Sequence, residues 1–349
     1  MKIVLYLGLG LLLTACSGAL STQGASAMPT TSALDFTCRH ETKPPLSPDT
    51  QALYNYALYH DLHNMWRGKK GDPVWQAAAV YYRIAAANGD YKANIRLQYL
   101  VRSGRVIVRE PMDEVYQLNR ALEKILPATA YYHFYQYLSR GYGIKTEKGG
   151  HYAYLRKAAD MGNAEAQYIV GNAIIEATTL ESPDRVKRFE IAEKMQVCSS
   201  EQGFAKAGMD LAMRARSARN YSESVKLFHQ SVKGGGELSA FSLELGFNKR
   251  TTPENKVDYL ALKPDAERSL RYKMIGDFLF RNDYLEPKVP DLDKIVPLPP
   301  AKLPAWDGKI AFQRWYEGPS PAKPSDELMQ KLADKAGLDV KTGLPLQKK

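Results

Sequence analysis

Ala158-Ala159-Asp160-Met161-Gly162-Asn163-Ala164-Glu165-Ala166-Gln167-Tyr168-Ile169-Val170-Gly171 is the stretch that decides the fold of this 349-residue chain. Two adjacent alanines precede a glycine, and Ala166 follows that glycine by four positions. Alanines four residues apart share one helix face, and their small side chains let a second helix approach closely. Gly162 can adopt the left-handed conformation that ends a helix without steric cost. The stretch therefore predicts two helices joined by a tight turn.

The same pattern recurs along the chain. Residues 85–93 read Ala-Ala-Ala-Asn-Gly-Asp-Tyr-Lys-Ala, with Gly89 about two repeat lengths of roughly 36 residues before Gly162. Further copies place their turn and packed positions at Leu126-Pro127 with Ala130 and Phe134, at Gly203 with Ala207, and at Gly236 with Ala240. A single helix pair cannot bury its apolar face, so repeated pairs stack into a solenoid.

These motifs resemble the Sel-one-like repeat, a relative of the tetratricopeptide repeat. Arg140-Gly141-Tyr142-Gly143-Ile144 matches the loop of that repeat, and Tyr137 precedes it at the family spacing. The resemblance implies an all-α fold, a right-handed superhelical solenoid of antiparallel helix pairs over residues 49–283, whose function is binding rather than catalysis. We predict helices at residues 50–66, 74–88, 91–103, 112–126, 128–140, 150–161, 164–177, 185–200, 204–218, 221–233, 237–248 and 265–281.

The N-terminus is typical of an exported lipoprotein. Lys2 precedes an apolar run that is too short to span a bilayer. Leu13-Thr14-Ala15-Cys16 resembles the bacterial lipobox, which implies a signal peptide over residues 1–15 and lipid attachment at Cys16. The alternative is an ordinary signal peptide cut elsewhere, with Cys16 discarded. Ser17 favours the outer membrane by resemblance, and residues 16–48 are interpreted as a flexible tether.

The C-terminal segment, residues 284–349, differs sharply in composition. Residues 287–304 contain six prolines, which excludes an ordinary helix or a central strand. Apolar residues alternate with these prolines, and we therefore predict a strap along the solenoid, with a disordered linker or an exposed proline-rich ligand as the alternatives. The aromatic cluster at 306–316 argues against a disordered tail, and Ser325 predicts a cap for a helix at 326–336.

The pattern of this C-terminal segment resembles a region of bacterial Sel-one-like lipoproteins, some of which are similar to immunity proteins against type VI secretion phospholipase effectors. That resemblance implies a protein partner, a toxic phospholipase effector, and membrane association through the lipid. The alternatives are an envelope scaffold or adaptor that binds an endogenous protein and, less favoured, a periplasmic enzyme.

Charge and cysteine content narrow the function further. The net charge of +10 is scattered rather than clustered, which argues against nucleic-acid binding and favours an anionic lipid or an acidic partner. Cys38 and Cys198 form either a disulfide, which an oxidising compartment permits, or two buried free thiols.

The sequence shows no convincing catalytic or cofactor site. His60 and His63 share a helix face, but no third ligand has suitable spacing, so we expect no metal. Asp291 and Asp293 are expected to accept backbone hydrogen bonds in the strap. Gly234-Gly235-Gly236 is interpreted as a turn between helices.

Tyrosine is the strongest candidate for binding, with 22 residues concentrated in the early repeats. On the helix at 128–140, repeat alignment assigns Ala130, Phe134 and Tyr137 to the packed stripe. Tyr132, Tyr135 and Gln136 are then predicted on the opposite, exposed side. We expect these three residues to contact a partner, with packing against the strap as the alternative.

Overall fold

The computed structural model describes residues 35–66 and 68–346, and this part of the chain is all-α apart from one isolated β-bridge between Leu338 and Pro345. The repeat array consists of α1 (Pro48–Asn64), α2 (Pro73–Ala87), α3 (Tyr91–Arg102), α4 (Pro111–Glu123), α5 (Pro127–Ser139), α6 (His151–Asp160), α7 (Ala164–Glu176), α8 (Arg185–Glu201), α9 (Ala205–Ser217), α10 (Tyr221–Lys233), α11 (Glu237–Phe247) and α12 (Ala266–Arg281). The C-terminal segment adds α13 (Leu292–Ile295), α14 (Ala311–Glu317) and α15 (Asp326–Ala336).

Helices α1 to α12 form the predicted solenoid of helix pairs. Each helix packs against its neighbours in sequence, so six successive pairs stack into one array. The predicted all-α solenoid is confirmed, and the predicted helix bounds at 50–281 lie within a few residues of the observed ones. The helix predicted at 326–336 coincides with α15.

The turns explain why the repeat motif has its sequence. Gly89 and Gly162 adopt φ values of +92° and +107°, a region that favours glycine. The next residues, Asp90 and Asn163, cap the following helices by accepting hydrogen bonds from backbone N–H groups three positions later. In the copy predicted at Gly236 with Ala240, the left-handed residue is Gly235. Gly236 itself has φ −76° and is the N-cap of α11.

The small residues of the motif form the contacts between helices. Ala85, Ala93 and Ala166 are fully buried, as are Ala158 and Ala159. The copy with Leu126-Pro127 in place of the turn glycine packs in the same way, because Ala130 and Phe134 are buried. The repeat alignment therefore predicts the packed side of this copy correctly as well. The positions at which the motif demands small side chains are therefore those where helix backbones approach each other.

The C-terminal segment first packs on the last repeats. Val289, Leu292 and Val296 are fully buried in a cluster with residues of α10, α11 and α12. Inside this contact, His229 Nε2 lies 2.7 Å from Asp293 Oδ1, and His229 Nδ1 lies 2.7 Å from Tyr272 Oη. Asp293 thus interacts with side chains, whereas Asp291 Oδ2 accepts the Ala311 N–H at 2.9 Å as expected for a backbone contact.

The segment then reaches the first repeat. Phe312 of α14 contacts Phe278 of α12, while Tyr316 stacks on His63 of α1 with ring centroids 4.2 Å apart. Helix α15 packs on α2, where Asn88 Nδ2 donates to the Leu332 carbonyl at 2.9 Å. The C-terminal segment therefore links both ends of the array.

The residues before α1 cross the middle of the array. Glu41 accepts hydrogen bonds from the N–H and hydroxyl of Thr129, and Gln167 Nε2 donates to the Arg39 carbonyl at 2.9 Å. Cys38 and Cys198 form a disulfide with Cα atoms 5.6 Å apart. Residues 38–41 are thus fixed to α5, α7 and α8 within the segment interpreted as a flexible tether.

Among the helices of residues 35–66 and 68–346, none combines the length and the apolar character needed to cross a bilayer. The predicted signal peptide and Cys16 lie outside the described residues.

Candidate partner-binding site

A cavity of about 550 Å³ lies against the odd-numbered helices α1, α3 and α5. Residues Leu285 and Glu286 of the C-terminal segment and Phe312 of α14 also line it. We call this cavity the inner pocket. Its volume falls in the range typical of ligand sites, and its position between the array and the C-terminal segment makes it the leading candidate for specific binding.

One side of the inner pocket rests on a buried ion pair. Asp61 is fully buried and accepts hydrogen bonds from Arg96 Nε at 2.6 Å and from Arg96 Nη2 at 3.0 Å. Its carboxylate also accepts from Trp75 Nε1 at 2.9 Å and from Tyr82 Oη at 3.0 Å. Burial opposes the charge of Arg96, but hydrogen bonds and the charge of Asp61 raise the pKa of Arg96. This network joins α1, α2 and α3 and holds that wall rigid.

The remaining charges of the inner pocket are mostly positive. The charge of Arg96 is matched by Asp61, which leaves Lys43, Lys92 and Arg102 against the single lining carboxylate of Glu286. Lys43 and Lys92 are exposed, so positive charge extends from the pocket to solvent. The pocket therefore favours an anionic group.

Two groups in the inner pocket have polar atoms without a partner. Arg102 Nη1 and His133 Nδ1 are buried and make no hydrogen bond to any described residue. Burial, reinforced by the nearby charge of Arg102, lowers the pKa of His133 to about 4. Both groups flank the ring of Tyr137: the Arg102 guanidinium lies 5.7 Å from its centroid and the His133 ring 6.0 Å.

The structure separates the three residues predicted to contact a partner. Gln136 lines the inner pocket. Tyr135 is half-buried and stacks on His151, with ring centroids 5.9 Å apart. Tyr132 is only 5% exposed, so the prediction that it is exposed is wrong.

The burial of Tyr132 has a simple cause. In a solenoid, a helix packs on the preceding pair with one side and on the following pair with another. Tyr132 accordingly packs in a cluster with Leu155, Ala158 and Ala166 of α6 and α7. Burial, with the neighbouring carboxylate of Glu165, raises the pKa of Tyr132.

The predicted histidine pair makes aromatic and polar contacts. His63 is stacked between Tyr59 and Tyr316, and His60 Nε2 lies 3.3 Å from Ser320 Oγ. The described residues place Cys38, His40 and Cys198 close enough together for a metal, but both sulfur atoms are committed to the disulfide. The histidines of α1 thus connect the first repeat with the C-terminal segment.

The residues that best define the pocket were not predicted. Arg102 is the last residue of α3, and His133 lies between the two predicted tyrosines on α5. Their spacing in sequence carries no motif, since they are brought together by tertiary packing: α4 packs on both α3 and α5, and the Tyr137 hydroxyl of α5 donates to Gln98 of α3. The repeat alignment could have indicated only that both helices belong to the same layer.

Comparison with known proteins places this architecture among solved structures. The immunity protein Pa5087 from Pseudomonas aeruginosa is 25% identical, with a TM-score of 0.51 over 76% of this chain and 95% of that one. PA5088, an immunity protein from the same organism, is 23% identical, with a TM-score of 0.54 over 76% and 94%. P. aeruginosa PA5086 is 24% identical, with a TM-score of 0.51 over 76% and 95%. The expected resemblance to immunity proteins is thus confirmed.

A protein-family match covers the C-terminal part of the chain. A family described as a domain of unknown function, DUF6396, matches residues 239–346. This match includes the last repeat helices and most of the C-terminal segment, which are the parts that pack together through the buried contacts of α12 and α13. Among curated proteins, none matches the chain.

Proposed function

We propose that this chain is an immunity protein that binds a secreted phospholipase effector of the type VI class and occludes its active site. The observation that carries the proposal is the similarity to the immunity protein Pa5087, which extends over 76% of this chain and 95% of that protein. A helical-repeat array with a cationic inner pocket suits a role in binding. The proposed activity is inhibition by contact, without turnover or a cofactor.

Charge supports a protein partner with an acidic surface. The full chain carries a net charge of +10, and complementary charge accelerates association and selects partners. Tyr135 and Gln136 lie near the cationic inner pocket and remain our candidate contact residues. Tyrosine and arginine side chains are enriched among residues that dominate binding energy.

We also propose attachment to the periplasmic face of the outer membrane through a lipid on Cys16. Stable anchoring of this kind needs more than one acyl chain, which a triacylated cysteine supplies. A phospholipase acts at the membrane surface, so an inhibitor attached there meets the enzyme where damage begins. This location rests on the lipobox resemblance at residues 13–16.

A toxicity rescue tests the proposed function. A candidate phospholipase effector, sought among the genes beside this one, is expressed in the periplasm with and without the full chain, and complex formation is measured with the purified proteins. We expect restored growth and a stable complex. Failure of both contradicts the immunity function, and recovery of an endogenous envelope protein instead favours the scaffold alternative.

A second experiment separates the anchor from the binding. Cys16→Ala is expected to move the chain from the membrane to the soluble fraction while binding of the purified phospholipase is unchanged. Unaltered membrane fractionation of Cys16→Ala contradicts the lipid anchor but leaves the binding proposal intact.

A further inference from the structure

The inner pocket holds donors that its own chain leaves unsatisfied. Arg102 Nη1 and His133 Nδ1 are buried without a hydrogen-bond partner in the described part of the chain. A buried polar group without a partner costs roughly as much free energy as its lost hydration, so native proteins rarely retain one. Two of these atoms belong to residues that line the same cavity, which points to that cavity as the place where a ligand would supply their hydrogen bonds.

Tyr137 lies beside both of these groups. Its hydroxyl donates to Gln98 Oε1 at 2.5 Å, and Gln98 Nε2 donates in turn to Asn94 Oδ1 at 2.6 Å. The tyrosine ring is thus held between α3 and α5, with Arg102 and His133 both about 6 Å from its centre. The donors are pre-organised, which reduces the entropy lost on binding.

The charge of the pocket selects the kind of acceptor. The lining cations exceed the single carboxylate of Glu286, once Arg96 is paired with Asp61. Exposed Lys43 and Lys92 extend the positive potential outward, which steers an anion toward half-buried Arg102. A neutral acceptor would leave this excess charge without compensation.

From this geometry we infer that the inner pocket receives a carboxylate side chain of the protein partner, with Arg102 and His133 as its hydrogen-bond donors. Both residues line the pocket, so the two oxygens of a carboxylate could accept one hydrogen bond from each of them. The planar guanidinium of arginine fits a carboxylate closely. His133 donates in its Nδ1–H tautomer. The inference rests on the proposed function for the identity of the partner as a protein.

Affinity for the candidate phospholipase of the rescue experiment is the first test. The full chain is compared with Arg102→Gln, Arg102→Lys and Arg109→Gln, whose arginine is 96% exposed and serves as the matched control. Loss of one member of a buried charged pair weakens binding by about thirtyfold or more. We expect that loss for Arg102→Gln, a smaller loss for Arg102→Lys and less than a threefold change for Arg109→Gln. Far-UV circular dichroism confirms that each variant is folded.

A second test needs no natural partner. An acetylated tetraglutamate peptide and inorganic phosphate are titrated separately onto the full chain, and the imidazole NMR signals of His133 are followed. We expect saturable shifts with the peptide that disappear in Arg102→Gln and persist in Arg109→Gln. Saturation by phosphate alone overturns the carboxylate assignment in favour of a phosphate group, and no response to either probe overturns it altogether.

The two tests also separate this inference from the proposed function. Equal affinity of the phospholipase for the wild type and Arg102→Gln overturns the pocket assignment while the immunity function stands. If the phospholipase does not bind the wild type, the immunity function fails, and the peptide titration still decides whether the inner pocket recognises carboxylates.

Discussion

The Cys38–Cys198 disulfide allows a quantitative test of how the N-terminal segment contributes to stability. The bridge joins residues 160 positions apart in sequence. For a loop of that length, the chain-entropy relation gives a stabilisation of about 5 kcal/mol at 25 °C, through restriction of the unfolded chain. Cys38 is exposed, so Cys38→Ala removes the bridge with little loss of packing.

The assay is urea unfolding followed by circular dichroism, with and without a thiol reductant. We expect Cys38→Ala to lower the free energy of unfolding by about 3–5 kcal/mol, since engineered and native bridges often deliver less than the entropy relation predicts. The reduced wild type should match Cys38→Ala, and reductant should leave Cys38→Ala unchanged. Exposed Ser217→Ala, at the end of α9, serves as a control that changes no bridge.

One outcome separates global from local stabilisation. Glu41 and Arg39 also hold the segment through hydrogen bonds to Thr129 and Gln167. If the unfolding free energy of Cys38→Ala equals that of the wild type, the entropy argument is refuted. Faster hydrogen exchange confined to residues 36–46 would then show that the bridge secures only this segment.

Three further predictions concern the repeat array. Gly162→Ala should destabilise the fold by more than the roughly 1 kcal/mol expected from the left-handed φ of Gly162, because an added Cβ lies 2.6 Å from the Glu41 backbone nitrogen. Gly203 also has a left-handed φ, +83°, but open space where a Cβ would lie, so Gly203→Ala is the matched control in thermal unfolding. Asp61→Asn should cost about 3–5 kcal/mol in urea unfolding because it leaves the charge of Arg96 buried and unpaired. Asp277→Asn removes a half-buried partner of exposed Lys273 and should cost less than about 1 kcal/mol. Equal costs would contradict the role given to burial. Burial lowers the pKa of His133 from its ordinary 6.5 to about 4 in the folded chain, so the unfolded chain binds more protons between these two pH values. The contribution of His133 to stability is therefore complete above pH 6.5 and falls by up to about 3 kcal/mol as the pH is lowered to 4. His133→Gln should flatten this part of the stability–pH curve, and an unchanged slope would refute the assignment.

Local sequence patterns predicted the repeat array well. A turn glycine such as Gly162, followed by a capping Asn163 and a small Ala166, fixes where one helix ends and how closely the next can pack. These are short-range constraints, and a sequence displays them directly. The same holds for Ser325, whose hydroxyl accepts the Leu328 N–H as an N-cap of α15.

Contacts between distant segments were less predictable. The periodicity of α5 assigns one packed stripe, but Tyr132 is buried by the following helix pair, which one helix considered alone cannot reveal. The aromatic residues near 312 were expected to be ordered, yet their contacts with both α12 and α1 arise from tertiary packing that no local pattern displays. Arg102 and His133 meet for the same reason, because helix stacking rather than sequence spacing brings them together.

The return of the C-terminal segment to α1 and α2 has a consequence for the order of folding. Tyr59 Oη donates to the carbonyl of Gly318, 259 residues away, and Asn88 bonds to Leu332 across a separation of 244. Ordinary repeat arrays fold by contacts between neighbours and can begin anywhere, whereas contacts of such long range form slowly. The first repeat therefore reaches its final state only after residues as late as Leu332 have been synthesised. Early and late parts of this chain complete their folding together.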